Sequence, residues 1–137
     1  MHYYAKITKA EGVYQVFFPD LPNVITYGET KEKALKNAED ALNGVLETDY
    51  DFGYPLPEPK HKAGRNFHPI DVLPHVELPY RLRKLRNSRS QSEIARKLGV
   101  SYQVYQRLET PGKCNPELKT IEKLSRVFGK KLELVFS

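Results

Sequence analysis

Apolar and polar positions alternate at the start of the chain, where Tyr3, Ala5 and Ile7 interleave with Tyr4, Lys6 and Thr8. That period of two predicts a half-buried strand. Lys9 to Gly12 reads as a turn, and Val13 to Phe18, rich in aromatic and β-branched residues, as the returning strand of a hairpin. Pro19-Asp20-Leu21-Pro22-Asn23 ends that strand, and Val24 to Tyr27 supplies a short third one. From Lys31 the period becomes helical. Ala34, Leu35, Ala38, Ala41, Leu42, Val45 and Leu46 form one apolar stripe, with Thr30 as the expected N-cap and Glu29 and Glu32 complementing the helix dipole.

Six of the ten prolines fall between residues 55 and 79, so regular structure there is short. Pro69 to Leu73 fits a brief fourth strand at a sheet edge. After Pro79 the pattern turns helical again, with Leu82, Leu85 and Arg86 on a first helix. Ser90-Gln91-Ser92-Glu93 is a capping box that opens a second short helix carrying Ile94, Ala95 and Leu98. Gly99 stops it, Ser101 caps a third helix held from beneath by Val104 and Leu108, and Asn115 with Pro116 is expected to start a fourth. Leu132, Leu134 and Phe136 alternate, which predicts a terminal strand.

The expected fold is therefore an α+β N-terminal domain, a small sheet plus helix, over residues 1–75, with a proline-rich linker region from about 55. An all-α module ending in a short strand follows over 76–137. Charge divides along the same line. Residues 1–75 carry 8 basic and 11 acidic side chains, net −3, whereas 76–137 carry 14 basic and 6 acidic, net +8. Such a surplus suits contact with a polyanion, although a solvated cationic surface has the same composition. No apolar run approaches the roughly 18 residues of a membrane span, and no signal peptide is visible, so a cytoplasmic protein is expected. The single cysteine, Cys114, excludes an internal disulfide and a multi-cysteine zinc site. His61, His68 and His75 are spaced by seven and match no common zinc pattern, so neither metal nor cofactor is expected.

Two short helices around a glycine turn, inside a basic bundle, make a helix-turn-helix arrangement. In it the third helix presents Tyr102, Gln103 and Gln106 outward, and Tyr105 and Arg107 more obliquely. Glutamine pairs with adenine in bidentate fashion, arginine with guanine or phosphate, and tyrosine offers a hydroxyl and a thymine-methyl contact. Ser90, Gln91 and Ser101 lie at helix N-termini suited to phosphate oxygens, and Lys113 adds a further phosphate contact. Helical bundles that bind no nucleic acid reuse the same capping chemistry, and that reading stays open.

Arg83 to Phe128 resembles the Xre/Cro-type helix-turn-helix family, most closely through Ser90-Gln91-Ser92-Glu93-Ile94-Ala95 and Leu98-Gly99-Val100-Ser101, then Arg107-Leu108-Glu109, Gly112 and Pro116. The N-terminal order of Gly12-Val13-Tyr14, Pro19-Asp20-Leu21-Pro22, Tyr27-Gly28-Glu29-Thr30, an alanine-rich helix and Pro55-Leu56-Pro57 resembles the HicB antitoxin family. That resemblance implies a partial RNase H-like N-terminal domain that binds a HicA-type mRNA-cleaving ribonuclease, and a C-terminal domain that represses its own operon at operator DNA. Tyr14, Phe17, Asp20, Tyr27 and the turn at 19–22 are the expected toxin contacts, the net −3 of this half suiting a basic toxin by charge, although solvated surface acids and core aromatics have the same composition.

No enzyme is expected: Asp20, Glu39, Asp40 and Asp71 have no spacing that compels them to converge on metal ions. The alternative is a helix-turn-helix transcriptional regulator whose N-terminal domain senses a small ligand. An apolar terminal strand needs a neighbour, so a homodimer or higher homo-oligomer is expected through a second copy's strand, unless the strand docks on the chain's own helices.

Overall fold

The computed structural model describes residues 1–136 and divides into two units, one ending at Val76 and the next beginning at Glu77. In chain order the elements are β1 (His2–Ala10), β2 (Val13–Phe17), β3 (Ile25–Gly28), α1 (Lys31–Asp51), β4 (Phe67–Asp71), α2 (Pro74–Arg86), α3 (Gln91–Leu98), α4 (Tyr102–Leu108) and α5 (Leu118–Val127). This is the α+β unit followed by helices that the pattern predicts. The strands form one antiparallel sheet in the order β3-β2-β1-β4.

Local chemistry explains the sheet. Ala10 pairs with Val13, which leaves Glu11 and Gly12 as a two-residue loop, and both have positive φ, 52° and 81°. That is the turn whose twist matches the flanking strands. Lys6 faces Phe17 and Thr8 faces Gln15, so Tyr3, Ala5 and Ile7 fall together on the opposite side with Val16 and Phe18, where all are buried.

Helix α1 covers that buried side. Thr30 accepts a hydrogen bond from the Lys33 amide at 3.1 Å, and Ala34, Ala38, Leu42 and Leu46 are completely buried. Two alanines in the first turns allow the helix to lie close to the sheet, and Gly28 completes the approach. A Cβ at Gly28 would stand 2.3 Å from the Ala34 backbone nitrogen. Asn43 ties the far end of the helix to β4: its amide donates to the Asp71 carbonyl at 3.0 Å, and its oxygen accepts from the Leu73 amide at 2.8 Å.

The proline-rich stretch after α1 belongs to the first unit and is pinned to it at Tyr3, at Asp20 and, through the Ile7 amide and the Asn66 carbonyl at 2.9 Å, at β1. Tyr3 donates its hydroxyl proton to the Pro57 carbonyl at 2.6 Å, and Asp20 accepts from the amides of Lys60 and His61, each at 3.0 Å.

The second unit packs around Leu82, Ile94, Ala95, Leu98, Tyr105, Leu108 and Leu124. Three boundaries differ from expectation. Helix α2 starts at Pro74, not after Pro79, because Pro79 is accommodated inside it at the loss of one backbone donor. Helix α5 starts at Leu118 with Glu117 as an extended N-cap, so Asn115 and Pro116 stay in the preceding loop. Among the described residues, 130–136 carry no strand where the alternation predicts one. Leu134 and Phe136 are exposed in irregular structure, since alternation makes a segment fit for pairing but a strand forms only against an edge.

Candidate functional site

The second unit builds a helix, a tight turn and a second helix from capping chemistry. Ser90 accepts the Glu93 amide at 3.0 Å and starts α3, while the Glu93 carboxylate turns to Lys97, 3.5 Å away, leaving only the serine half of the capping box formed. Gly99 ends α3 at φ 80°, donating to the Ala95 carbonyl at 2.9 Å. That left-handed geometry is the one glycine accepts without strain. Ser101 then caps α4 by accepting the Val104 amide at 3.2 Å.

An ion pair locks the far end of α4. Arg86 Nε lies 2.7 Å and Nη2 2.9 Å from the two carboxylate oxygens of Glu109, the residue that closes α4. Arg86 Nη1 donates to the Arg89 carbonyl at 2.8 Å, and Gln91 Nε2 adds a bond to Glu109 at 3.2 Å. Arg89 lies over the Phe128 ring at 5.3 Å and donates to the Leu85 carbonyl at 2.9 Å. Each charge therefore meets a fixed partner, the condition under which a buried pair is tolerated.

With Leu108 and Tyr105 buried, the opposite side of α4 faces solvent. Tyr102, Gln103, Gln106 and Arg107 are exposed there, and so are Ser90, Ser101 and Lys113 elsewhere on the unit. Two expectations change. Tyr105, expected obliquely outward, is completely buried, and Val104, expected beneath the helix, is 43% exposed. Val104 and Tyr105 stand four and three residues before Leu108, so helix geometry allows either beside it. Tyr105 enters the cluster of Leu82, Ile94 and Leu108, and Val104 is left on the flank. Gln91 is half-buried with its amide donating to Glu109, and Ser90 beside it is exposed.

Cys114 lies buried in the turn before α5, and burial pushes its thiol up to about 11.

In the first unit the register sorts the expected contact residues onto different surfaces. Phe17 and Tyr27 share the sheet face that α1 leaves open, at 45% and 63% exposure. Between them stands Ile25, 73% exposed, which the sequence reading did not single out. Lys6, Thr8, Val13 and Gln15 complete the same shallow groove. Alternation identifies two faces in each strand, and only the register shows that Phe17, Ile25 and Tyr27 meet on one of them. Tyr14 belongs to the other face, under the Lys9 ammonium at 5.6 Å.

Asp20 is turned inward to His61, whose Nδ1 lies 2.9 Å from its carboxylate. Burial works to raise the Asp20 pKa, but the His61 ring and the His61 and Lys60 amides outweigh it and hold the carboxyl below its usual range. Asp20 thus acts as a clamp on the proline-rich loop. Of the other carboxylates considered for metal chemistry, Glu39 and Asp40 stand on α1 and Asp71 ends β4, and among the described residues no three His, Cys, Asp or Glu side chains form a metal-binding group. Among the same residues no helix is long and apolar enough to cross a membrane.

Comparison with known proteins agrees with both halves of this picture. Residues 2–72 match the family model of the HicB-like antitoxin of bacterial toxin-antitoxin systems, and residues 80–135 match a helix-turn-helix model. The chain is 31% identical over 135 residues to Antitoxin HicB 2 of Photorhabdus laumondii, covering 98% of this chain and 96% of the relative. It is 32% identical over 143 residues to Antitoxin HicB of Escherichia coli K12, covering 98% and 99%. A crystal structure of the N-terminal domain of Burkholderia pseudomallei antitoxin HicB is similar at 33% identity and a TM-score of 0.42, over 45% of this chain and 74% of that one. The chain is thus a member of the HicB antitoxin family whose second unit is a helix-turn-helix domain.

Proposed function

We propose that the chain is a type II antitoxin that neutralises a HicA-type mRNA-cleaving ribonuclease with residues 1–75 and represses its own operon with residues 76–137. The observation that carries the reading is the exposed row of Gln103, Gln106 and Arg107 on α4, held by the buried Arg86–Glu109 pair within a module of net charge +8. Glutamine and arginine on a protruding helix suit base edges in the major groove, while Ser90, Ser101 and Lys113 suit phosphates beside it.

For the toxin, the supporting feature is the open sheet face with Phe17, Ile25 and Tyr27 on a unit of net charge −3. An RNA-binding ribonuclease carries a basic surface, so the net negative charge of the unit favours encounter and the exposed Phe17, Ile25 and Tyr27 supply apolar anchors. Inhibition follows if the bound antitoxin covers the surface that takes RNA, and the antitoxin needs no catalytic group of its own. The exposed terminal residues Leu134 and Phe136 support pairing between two copies in the cytoplasm. A homodimer places two reading helices on half-sites about one DNA turn apart.

The test separates the two activities. The full chain is co-expressed with the product of the adjacent reading frame and assayed for growth rescue, co-purification and binding to promoter DNA. Q103A/Q106A is expected to lose promoter binding and keep rescue, and F17A/Y27A to lose rescue and keep promoter binding. Rescue and promoter binding unaffected by either pair would overturn the assignment, and a co-purifying metabolite in place of a protein would favour a ligand-sensing regulator.

A further inference from the structure

Val104 is an apolar side chain that the core leaves on the solvent side of α4. It is 43% exposed at the edge of the row formed by Gln103 and Arg107, and it lies outside the apolar cluster that Tyr105 and Leu108 enter. A surface helix position gains nothing in helix propensity from a β-branched side chain. Two properties make valine useful toward a ligand. Its amide is fixed by Ser101, which sets the backbone of the first turn of α4. Its side chain also has one strongly preferred rotamer in a helix, so little freedom remains to be lost on contact.

An apolar group among glutamines and an arginine fits one feature of the major groove. Base edges there present hydrogen-bond donors and acceptors that Gln103, Gln106 and Arg107 match, and one apolar feature, the C5-methyl of thymine, that they do not. We infer that Val104 is a specificity-determining residue that selects a pyrimidine carrying a C5-methyl group at one position of each half-site. This rests on the operator-binding reading. Thymine and 5-methylcytosine present the same methyl at the same place, so the shared chemistry is the methyl and the test distinguishes the bases.

The full chain is used to select duplexes from a random-sequence DNA library, and affinity is then measured at fixed salt while each thymine of the selected sequence is replaced by deoxyuridine. At one thymine per half-site, removing a methyl is expected to weaken the wild-type protein about four-fold, the effect of one buried methyl. Val104→Ser is expected to bind both duplexes equally, and Val104→Ile to keep the discrimination, which also shows that the site tolerates substitution. Replacing the same T·A pair by C·G or by 5-methyl-C·G separates the sources: recovery with 5-methylcytosine assigns the contact to the methyl alone, and no recovery to thymine with its carbonyl partner. Selected DNA whose deoxyuridine sensitivity is unchanged in Val104→Ser overturns this inference alone. Failure of the wild-type chain to select any sequence overturns the operator reading and this inference with it.

Discussion

Arg86 at the end of α2 and Glu109 at the end of α4 form a two-bond ion pair, with the carboxylate almost wholly buried. The pair fixes where α4 ends relative to the helix that precedes the helix-turn-helix. Removing one partner leaves an uncompensated buried charge, so Arg86→Ala is expected to destabilise the second unit by about 3–5 kcal/mol. Replacing both residues by methionine is expected to cost much less. Urea unfolding of the two variants checks this, and equal losses would show that packing, not charge compensation, is what Arg86 supplies.

The exposed face of α4 makes a separable prediction about DNA. Lys113 is suited only to phosphate, so Lys113→Ala is expected to weaken all duplexes alike and to lower the slope of log affinity against log salt by about 1. Gln106 is suited to a base edge, so Gln106→Ala is expected to cost about 1–3 kcal/mol on the preferred duplex and little on random DNA. Competition binding at several salt concentrations measures both. A Gln106→Ala loss that is the same on all sequences would move that residue from reading to positioning.

Gly28 tests the contact between β3 and α1. Any Cβ there meets the Ala34 backbone at 2.3 Å, and neither the strand nor the helix terminus has a flexible side chain that can yield. Gly28→Ala is expected to destabilise the first unit by about 2 kcal/mol or more through forced backbone movement. Gly44→Ala, on α1 with open space around its Cβ, is expected to be neutral or stabilising by up to about 1 kcal/mol. Thermal unfolding of the two variants measures the contrast.

The contrast also shows what the sequence could express. Tyr27-Gly28-Glu29-Thr30 announces a turn and a cap, and the helical stripe from Ala34 to Leu46 announces which face is buried. Neither says that the strand and helix touch at Gly28, because that depends on tertiary distance. Periodicity marked the strands for the same reason that it failed to assemble the open face: Phe17, Ile25 and Tyr27 meet through register between strands, which is a property of pairs. On α4 the pattern allowed either Val104 or Tyr105 beside Leu108, and apolar character favoured valine. Packing around Leu82 and Ile94 chose the larger side chain, which fills more of the core. The terminal alternation of Leu132, Leu134 and Phe136 is a sequence pattern that, among the described residues, pairs with no strand and stays exposed.

Asp20 carries a prediction in acid. Its carboxyl is held below the usual value, so the clamp on Lys60 and His61 contributes stability that is complete above the unfolded-state value near 3.8 and is lost as pH falls through the lower folded-state value. Asp20→Ala removes the acceptor at every pH. Limited proteolysis within residues 54–66 is expected to be fast in Asp20→Ala at pH 7 and slow in the wild type. Equal cleavage of the two would show that the bonds of Tyr3 to Pro57 and of Ile7 to Asn66 hold the loop without Asp20.

Cys114 completes the set at the alkaline end. With its thiol raised from 9.0 to about 11 by burial, the folded protein keeps the proton that the unfolded chain has released. The unfolded state therefore binds fewer protons over that range, and the thiol's contribution to stability, complete below about pH 9, is lost as pH rises toward 11. Because the thiolate is the nucleophile, alkylation at pH 8 is expected to be slow in the native protein and to reach the rate of a free thiol in urea. Cys114→Ala leaves no ionisable group and is expected to flatten the stability profile between pH 9 and 11, at the loss of some core packing. Rapid alkylation of the native chain, with its fold intact by circular dichroism, would place the thiol at the surface and contradict the buried turn before α5.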